Sequence, residues 1–357
     1  MDLTICYKLK NFKKYKFIMR IGNNPNKDIV QPKSDYYHQV IIPVYIPNQE
    51  GYFKDALRIL ELCLTSLFET KHHKTYITII NNGSCKEVKA YLETIFLQGN
   101  IQELIHTPNI GKFNAILKGL VGNDMELVTI ADADVMFLSN WQIETMKIFE
   151  QLPKAGVVGL TPQFKMFESY CGNVIYDNLF NKKLRFFPVK NREALIRFYD
   201  SLDWKRDYNQ DFLNYIFGLK ISSDFKVLIG AGHFVATYKK DVFKNINLFS
   251  QYKLGGDSEI YLDKLPLKKD YWRLTTYDNF AYHMGNTYEN WMSEVEFNSL
   301  AKDLPKNFGK RKTNSHFLYF IKNRILLKII FNKNIIGLFF IWKKLPKNIA
   351  KMYQNLQ

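Results

Sequence analysis

Residues 127–137 read Leu127-Val128-Thr129-Ile130-Ala131-Asp132-Ala133-Asp134-Val135-Met136-Phe137, and this stretch decides the fold that we predict. Its run of apolar and β-branched residues is typical of a strand buried on both faces, as in a parallel sheet. The run ends at two carboxylates, and open α/β sheets bind ligands at the carboxyl ends of their strands. Alternate side chains of an extended segment share a side, so we expect Asp132 and Asp134 to point together and Ala133 to point away.

Two carboxylates on one side of a strand end suit a hard divalent cation, Mn²⁺ or Mg²⁺, which often takes phosphate oxygens as further ligands. A plainer interpretation is a strand end with two solvated acids, because Asp-x-Asp is a frequent tripeptide. The neighbouring sequence has to decide between the two.

Strand and helix patterns alternate along the first half of the chain. The predicted elements are strands 40–46, 76–80 and 101–105, helices 55–69, 86–97 and 113–121, then helix 141–151 and strand 156–160. This alternation predicts right-handed βαβ crossovers and a parallel sheet. Pro43 has no N–H to donate, so we expect the first strand to end or bend there.

The regular pattern loosens between Thr161 and Asp224 into a long polar and aromatic region. We expect an insertion there that carries acceptor contacts on a fixed scaffold. Regular patterns return in two strands at 227–230 and 232–237, a helix near Asp257 and a last segment at 280–285.

The net charge of +16 is concentrated at the two ends of the chain. Residues 1–33 hold eight cations against two acids, and residues after Asp303 hold twelve cations and no acid, which leaves the middle near −2. A nucleic-acid-binding face would itself be basic and would carry a recognition motif, so we expect no nucleic-acid partner. The basic flanks instead suggest contact with an anionic surface.

The tail from about residue 316 mixes apolar, aromatic and basic residues, without an uncharged run long enough to span a bilayer. It predicts an amphipathic helix on an anionic membrane surface. The alternative is docking on the catalytic domain or on a second subunit, as in a homo-oligomer. The four scattered cysteines indicate free thiols in a reducing compartment, and no secretory leader is evident, so we expect a cytoplasmic protein, peripheral on the inner face of the membrane.

Five short motifs stand in order on the predicted strand ends and loops. They are Ile42-Pro43-Val44-Tyr45, Asn81-Asn82-Gly83-Ser84, Asn109-x-Gly111 followed by Asn114 and Ala115, Asp132-Ala133-Asp134, and Gly256-Asp257. Each is weak alone, but their order and placement resemble the GT-A nucleotide-sugar glycosyltransferases, specifically those similar to glycosyltransferase family 2. The resemblance implies an α/β, nucleotide-fold-like and mostly parallel central sheet flanked by helices, here with a basic C-terminal helical extension.

The resemblance also implies a metal-dependent, inverting hexosyltransferase that acts in surface polysaccharide or glycoconjugate assembly. It would move a sugar from a nucleotide-sugar donor to a glycan or lipid-linked acceptor. The implied donor-binding residues are Pro43, Val44, Tyr45, Asn81, Asn82, Asn109, Gly111, Lys112, Asp132 and Ala133. Asp134, with Asp132 and the late His283, would bind Mn²⁺ or Mg²⁺, although a lone histidine also fits a structural hydrogen bond. Lys112 would neutralise the diphosphate, or be a solvated loop lysine.

Asp257 stands where the family has its acceptor-activating base, and an acid in the first turn of a helix is favoured there. The glutamate that precedes this base in the family is Gly256 here, so Glu259 is a rival base. Both aspartates of the base-binding turn are replaced by Asn81 and Asn82, so UDP is only the default nucleotide and dTDP or GDP sugars stay open. The Gln-x-x-Arg-Trp signature of processive synthases is absent, which favours a single addition.

A polar cluster with an aromatic residue, Trp204, Asp207 and Asp211, is suited to stacking on and hydrogen bonding an acceptor sugar. An ordinary helix with a capping acid explains the same residues. The run from Gln210 to Asn214 also resembles a motif of retaining GT-A enzymes, so the stereochemical outcome is open.

These inferences divide the chain into a basic N-terminal arm (1–38), a catalytic domain (39–295) and a basic amphipathic tail (296–357). The catalytic domain has a nucleotide-binding half (40–137) and an acceptor half (138–295). Two alternative functions remain. One is a sugar-phosphate nucleotidyltransferase, which usually carries a Gly-rich basic signature that the sequence after the first strand lacks. The other is a catalytically degenerate, membrane-associated partner protein.

Overall fold

A computed structural model describes residues 22–32, 34–204, 206, 208–244, 246, 249–255, 257–298, 308 and 316–355, without the side chains of 257, 258, 316, 317, 354 and 355. The chain divides into a unit that ends at Ser34 and a compact unit from Asp35 onward. Most of the predicted N-terminal arm lies outside the described residues, and so does Cys6. The other cysteines, Cys63, Cys85 and Cys171, are free thiols.

The strands of the second unit are β1 (His38–Val44), β2 (Thr75–Asn82), β3 (Glu103–Thr107), β4 (Leu127–Ala131), β5 (Val135–Phe137), β6 (Ala155–Gly159), β7 (Leu184–Pro188), β8 (Tyr215–Lys220), β9 (Lys226–Ile229), β10 (Val235–Lys239), β11 (Trp272–Thr276) and β12 (Ala281–His283). Ten of them form one sheet in the order β3-β2-β1-β4-β10-β6-β11-β9-β8-β7. β5 and β12 pair antiparallel as a separate small sheet.

The helices are α1 (Ala56–Thr70), α2 (Lys86–Leu97), α3 (Lys112–Leu120), α4 (Trp141–Gln151), α5 (Gly172–Asp177), α6 (Arg192–Ser201), α7 (Asp257–Lys264), α8 (His316–Phe320), α9 (Leu326–Ile330), α10 (Ile336–Trp342) and α11 (Lys347–Asn355). A π-helical turn, Ile321–Ile325, joins α8 to α9. Short 3₁₀ turns cover Gly51–Phe53, Met166–Glu168, Gln210–Leu213, Lys240–Phe243, Pro266–Lys269 and Asn290–Ser293.

The first half of the sheet is parallel, as the strand–helix alternation predicts. β1 pairs in parallel with β2 and β4, and β2 pairs in parallel with β3. The pairing of β1 with β2 continues to Val44, whereas its pairing with β4 ends at Ile41. Pro43, which has no N–H to donate, therefore lies where β1 has lost one neighbour, and the strand runs one residue past it.

Both faces of this parallel half are covered, because successive residues of a strand point to opposite faces. Ile42 packs into one core with Leu60 of α1 and Leu92 of α2. Ile41, its neighbour in the chain, packs into a different core with Ile116 of α3. Helices on both faces explain why the strands read as continuous apolar runs.

The second half of the sheet is mixed. β10 runs antiparallel between β4 and β6, and β11 is parallel to β6. β9, β8 and β7 then continue antiparallel to the edge. The predicted α/β class, a large central sheet flanked by helices, is confirmed, and its parallel pairings lie mainly in the first half.

The region from Thr161 to Asp224 is more regular than its sequence indicates. It contains β7, α5, α6 and β8, and its two strands extend the large sheet. Aromatic side chains such as Phe186 and Phe217 are buried here against the C-terminal helices. Because these strands depend on pairing with each other and on a cover from the far end of the chain, their local pattern does not mark them as strands.

One face of the C-terminal helices packs against the buried aromatic residues of strands β7 and β8. Ile336, Phe340 and Tyr353 share a core with Phe186 and Phe217. The backbone N–H of Phe186 donates to the carbonyl oxygen of Lys343 over 2.8 Å, so the tail covers the outer strand β7. Within the described residues, no helix has both the length and the apolar character needed to cross a bilayer.

Lys322 anchors the tail through a buried ion network. Its Nζ lies 3.0 Å from Asp177 Oδ1 and 3.2 Å from both carboxylate oxygens of Asp270, and only 5% of its surface is exposed. Lys154 also pairs with Asp177. An added Cβ at Gly172 would lie 2.1 Å from the Lys322 carbonyl oxygen, so the π-helical turn rests directly on α5.

We predict that Lys322→Met lowers the free energy of unfolding by about 3 kcal/mol, because it leaves buried carboxylates with one cation fewer. Lys328→Met is the matched control: Lys328 is exposed on α9, and its loss should change stability by less than about 0.5 kcal/mol. Urea unfolding of both variants measures the difference. Equal midpoints would show that the network does not hold the tail in place.

Candidate functional site

Two neighbouring cavities lie at the carboxyl ends of the parallel strands, and Asp132 lines both. The first cavity, about 380 Å³, is lined by Pro43, Tyr45, Ile46, Tyr52, Phe53, Ala56, Ile59, Asn82, Asn109, Lys112, Asp132, Ala133, Asp134, Lys253, Leu254, Gly285 and Asn286. The second cavity, about 520 Å³, is lined by Asp132, Gln163, Phe164, Lys165, Met166, Ser169, Phe198, Tyr199, Leu202, Trp204, Ala231, Gly232, His233, Phe234, Glu259, Asp263, Arg273 and His283. Two compounds bound side by side would therefore meet at Asp132.

Asp132 follows the last residue of β4, and its backbone N–H donates to the carbonyl oxygen of Phe234 over 2.8 Å. Residues 132–134 form a turn rather than the extended segment that we expected. Ala133 therefore lines the first cavity together with both aspartates instead of pointing away. The turn leads into β5, whose partner β12 ends at His283.

An ion pair joins Asp132 to Lys112, the first residue of α3, with Lys112 Nζ 2.6 Å from Asp132 Oδ1. Gly111, just before Lys112, packs against the backbone of residues 252–253: its φ is +88°, and an added Cβ would lie 2.6 Å from the Tyr252 carbonyl oxygen. Burial disfavours the charged ammonium, but the charge and hydrogen bond of Asp132 outweigh it, so the pKa of Lys112 is raised. Lys112 thus faces the first cavity as a fixed cation.

Asp134 lies beside His283, with His283 Nε2 3.4 Å from Asp134 Oδ2. The other ring nitrogen of His283 is 2.9 Å from Ser201 Oγ. Burial raises the pKa of Asp134, the nearby His283 opposes that rise, and the Asp132 carboxylate adds to it. Asp134 Oδ1 is buried and accepts no hydrogen bond from the described residues. Its lone pairs are thus available to a cation.

Across the part of the chain that the structure describes, no group of three or more His, Cys, Asp or Glu side chains is arranged to hold a metal ion. Asp132, Asp134 and His283 do lie next to one another along the boundary of the two cavities. A cation that takes one or two carboxylates and completes its shell with phosphate oxygens does not need a third acidic ligand from the protein.

A second set of charged residues lies on the far side of Lys112. Glu259 Oε1 is 3.8 Å from Lys112 Nζ, and Glu259 Oε2 is 3.1 Å from His233 Nε2. The hydrogen bond with His233 lowers the pKa of Glu259 to about 2, with burial opposing and Lys112 assisting. Arg273 completes the set through Asp263, at 2.6 Å between Nη2 and Oδ1. The sequence did not single out His233, Asp263 or Arg273, because each stands alone in a segment without a motif.

Most predicted donor-binding residues line the first cavity. These are Pro43, Tyr45, Asn82, Asn109, Lys112, Asp132 and Ala133. Val44 is buried in the core beside them, and Gly111 contributes through the backbone. Asn81 is buried and bonded to His106 and to the backbone N–H of Ser84, and it is not among the lining residues.

The two asparagines of the Asn81-Asn82 turn organise the loop that follows β3. Asn82 Oδ1 accepts the backbone N–H of Ile110 over 2.9 Å, and Asn82 Nδ2 lies 3.5 Å from Asn109 Oδ1. The turn and the Asn109 loop, two separate motifs in the sequence, are therefore one hydrogen-bonded wall of the first cavity.

Of the predicted acceptor residues, Trp204 lines the second cavity and stacks on Tyr199 at a ring-centroid distance of 5.2 Å. Tyr199 in turn stacks on Phe164 at 4.1 Å, so three rings form one wall. Asp211 is the second residue of the 3₁₀ turn Gln210–Leu213 and is not among the lining residues, and Asp207 lies outside the described residues. Asp257 begins α7, but its side chain lies outside the described part.

Comparison with known proteins gives one family match. The sequence model of "Glycosyl transferase family 2" matches residues 40–199, which include β1 to β6 and the Asp-x-Asp turn. No curated protein matches the chain.

Several solved structures are similar to the chain at low identity. S. aureus TarS 1-349 aligns with a TM-score of 0.40 and 11% identity over 70% of this chain and 60% of that one. The mannosyltransferase PcManGT from Pyrobaculum calidifontis, solved with GDP-Man and Mn²⁺, aligns with a TM-score of 0.39 and 16% identity over 70% of this chain and 57% of that one. S. aureus TarS 1-349 with UDP-GlcNAc aligns with a TM-score of 0.41 and 11% identity over 89% and 70%. The chain thus spans less than two thirds of the first two of these structures.

The family match covers four of the five motifs, in the order that the sequence analysis gave them. The match confirms the resemblance that these motifs indicate. Residues 40–199 of the chain are thus similar to glycosyl transferase family 2.

Proposed function

We propose that this protein is a metal-dependent, inverting and non-processive glycosyltransferase, which moves a single sugar from a nucleotide to a glycan or lipid-linked acceptor. The observation that carries the proposal is the pair of cavities that share Asp132. Transfer between two substrates requires that both be held with their reacting atoms in contact, and such positioning supplies much of the rate enhancement. The motif residues line one cavity, and an aromatic wall lines the other.

The first cavity suits a nucleotide sugar. Its aromatic residues, Tyr45, Tyr52 and Phe53, offer faces and edges to a base, and Lys112 offers a fixed charge to a diphosphate. Asn81 and Asn82 replace the two carboxylates of the family's base-binding turn, so this contact carries no charge. We take UDP as the default nucleotide, with dTDP and GDP as its rivals.

For the metal we propose Mn²⁺ or Mg²⁺, bound by Asp134 with Asp132 and His283. The buried Asp134 Oδ1, which accepts no hydrogen bond from the described residues, supports this assignment. The ion would neutralise charge on the departing nucleoside diphosphate. Lys112 would hold the phosphates from the opposite side, and Ser201 would fix the ring of His283 through the 2.9 Å contact with Nδ1.

The second cavity suits a sugar acceptor. Carbohydrates stack their apolar faces on aromatic rings, and the rings of Trp204, Tyr199 and Phe164 lie in series along one wall. Asp207 and Asp211 stay proposed acceptor contacts. The acceptor hydroxyl must lose a proton, and we propose a carboxylate at the start of α7, Asp257 or Glu259, as its base.

The tail supports a peripheral position on an anionic membrane leaflet, which we place on the cytoplasmic side. Leu338 and Trp342 are 67% and 48% exposed, and Phe180 of the catalytic unit packs beside Trp342 at a centroid distance of 6.0 Å. Exposed lysines of the same segment are Lys328, Lys333 and Lys344. Exposed apolar side chains and exposed cations in one segment, with no acid after Asp303, match an interface with anionic lipids. A lipid-linked acceptor would be presented there.

We expect Asp134→Asn to lower Mn²⁺-dependent hydrolysis of the donor sugar by about 10²–10³-fold, because the substitution removes a negative ligand and its charge. Chelation of the wild-type enzyme should have a similar effect, reversed by added Mn²⁺. Glu61→Gln, an exposed carboxylate of α1, is the control and keeps its activity. Full activity in Asp134→Asn or in chelator would contradict the metal role.

A thermal-shift panel of UDP, dTDP and GDP sugars, with and without Mn²⁺, tests the donor class. A ligand that binds only the folded state stabilises it by about 2.7 kcal/mol at a hundred-fold excess over Kd. We expect a Mn²⁺-dependent rise in melting temperature, largest for one nucleotide. The same panel on Lys112→Ala should show a smaller rise, since the diphosphate loses its cation. A panel without any shift would contradict nucleotide-sugar binding.

Replacing Leu338 and Trp342 together by glutamate should abolish co-sedimentation with anionic phosphatidylglycerol vesicles, because it puts negative charge into the apolar surface. Wild-type binding should weaken in high salt and on neutral vesicles. Leu97→Glu, on α2 and 84% exposed, is the matched control and should bind as the wild type does. Unchanged sedimentation of the double variant would overturn the membrane assignment.

A further inference from the structure

His233 lies between two carboxylates of one helix. Its Nε2 is 3.1 Å from Glu259 Oε2, and its Nδ1 is 4.0 Å from Asp263 Oδ2. Glu259 and Asp263 are four residues apart on α7, so they lie on the same face of that helix. The proposed function gives the histidine no role, although it lines the second cavity.

Glu259 lies where the two cavities meet. One carboxylate oxygen contacts His233, and the other lies 3.8 Å from Lys112 Nζ, which itself contacts Asp132 at 2.6 Å. About a third of the Glu259 side chain is exposed, and the residue lines the second cavity. Two described carboxylates, Glu259 and Asp263, line the second cavity but not the first. Of these, Glu259 lies next to Lys112, a cation that lines the first cavity.

Asp263 is fixed in a different way. Arg273 Nη2 lies 2.6 Å from Asp263 Oδ1 and 2.5 Å from the Ala231 carbonyl oxygen, and Arg273 Nη1 lies 2.9 Å from the Ser169 carbonyl oxygen. Arg273 is buried, so this contact is shielded from solvent. Asp263 therefore has a permanent cationic partner and serves as an anchor for the ring of His233.

We propose that Glu259 takes the proton of the acceptor hydroxyl, and that His233, held by Asp263, is the positioning residue that aims its carboxylate. The inference rests on the proposed function and names one of the two acids left open there. In the step, the acceptor O–H bond breaks and its proton passes to Glu259. The acceptor oxygen bonds to the anomeric carbon, and the bond from that carbon to the diphosphate breaks, its electron pair leaving with the nucleotide.

The charges around Glu259 fit this role. Among the described side chains, Glu259 faces Lys112 of α3 and His233 of the segment before β10. Asp132 pairs with Lys112, and Asp263 of α7, itself paired with Arg273 of β11, lies beside His233. The His233 hydrogen bond holds the pKa of Glu259 near 2, so the carboxylate is ionised at neutral pH. The pKa of His233 is raised: burial opposes its charge, but the hydrogen bond and charge of Glu259 outweigh burial. A donor diphosphate would compete for Lys112 and so return basicity to Glu259.

The test uses the full-length enzyme, Mn²⁺, water as the acceptor, and the nucleotide sugar that gives the largest thermal shift. Glu259→Gln should lower kcat by about 10²–10⁴-fold with little change in donor KM, because only the proton transfer is lost. Asp257→Asn is the rival variant, and its loss should be at least about ten-fold smaller. If Asp257→Asn lowers kcat as much as Glu259→Gln does, or more, the assignment of the base is overturned. Melting temperatures confirm that both variants fold.

The role of His233 needs a readout that a merely structural residue would not change. In His233→Ala the pKa of Glu259 should rise from about 2 toward its ordinary 4.5, so activity at pH 4 relative to pH 7 should fall below that of the wild type. His233→Gln keeps a side-chain N–H for Glu259 and should recover part of the loss. An unmoved pH profile in His233→Ala would overturn the positioning role. Failure of the proposed function itself looks different, because then the wild type hydrolyses no donor.

Discussion

The ion pair between Lys112 and Asp132 is the contact on which the rest of the site depends. One partner ends a central strand and the other begins a helix that follows a loop, and the two meet only because βαβ winding brings strand ends and helix starts to the same rim. Asp132 then divides the rim into two cavities, and Lys112 links it to Glu259. Replacing either residue would leave a partly buried charge without its partner, so the pair constrains the loop and the motif at once.

Around this pair, positive and negative groups alternate from the first cavity to the second. The series of contacts begins at Asp132, passes through Lys112, Glu259, His233 and Asp263, and ends at Arg273. No described member faces only charges of its own sign, so each of these partly buried charges lies beside one of opposite sign. Asp134 is different: it has a histidine, an acidic neighbour and a buried oxygen without a hydrogen bond, which sets it apart as the group still able to take a cation.

The parallel half of the fold and most residues that line the first cavity could be predicted from the sequence, because their signals are local. Helices α2 and α4 begin and end where the spacing of apolar residues indicates, and β4 precedes the Asp-x-Asp motif as expected. The donor motifs stand on strand ends, whose direction follows from the βαβ rule alone. The prediction of an extended segment at Ala133 was wrong. The chain turns there because it passes from the large sheet to the small one, and the pairing of β5 with β12 depends on contacts between distant segments.

The other half of the site could not be predicted, because its residues are brought together by contacts between distant segments. His233, Asp263 and Arg273 come from three separate segments that share no motif, and no neighbouring residue indicates that any of them has a role in catalysis. Strands β7 and β8 are similar, because they pair with each other and are covered by the tail. The sequence of the tail predicts an amphipathic helix. It does not distinguish the apolar residues that pack on the core from those that are exposed, because both sets contain the same types of residue.

Strand β10 runs against the strands on either side of it, so its beginning emerges at the rim where theirs finish. The short loop that leads into it, residues 230–234, consequently lies at that rim, and its residues 231–234 line the second cavity but not the first. Under the proposed function, a change in the length or composition of this loop would alter acceptor preference and leave the donor cavity intact. A single antiparallel strand would thereby allow two kinds of specificity to vary separately.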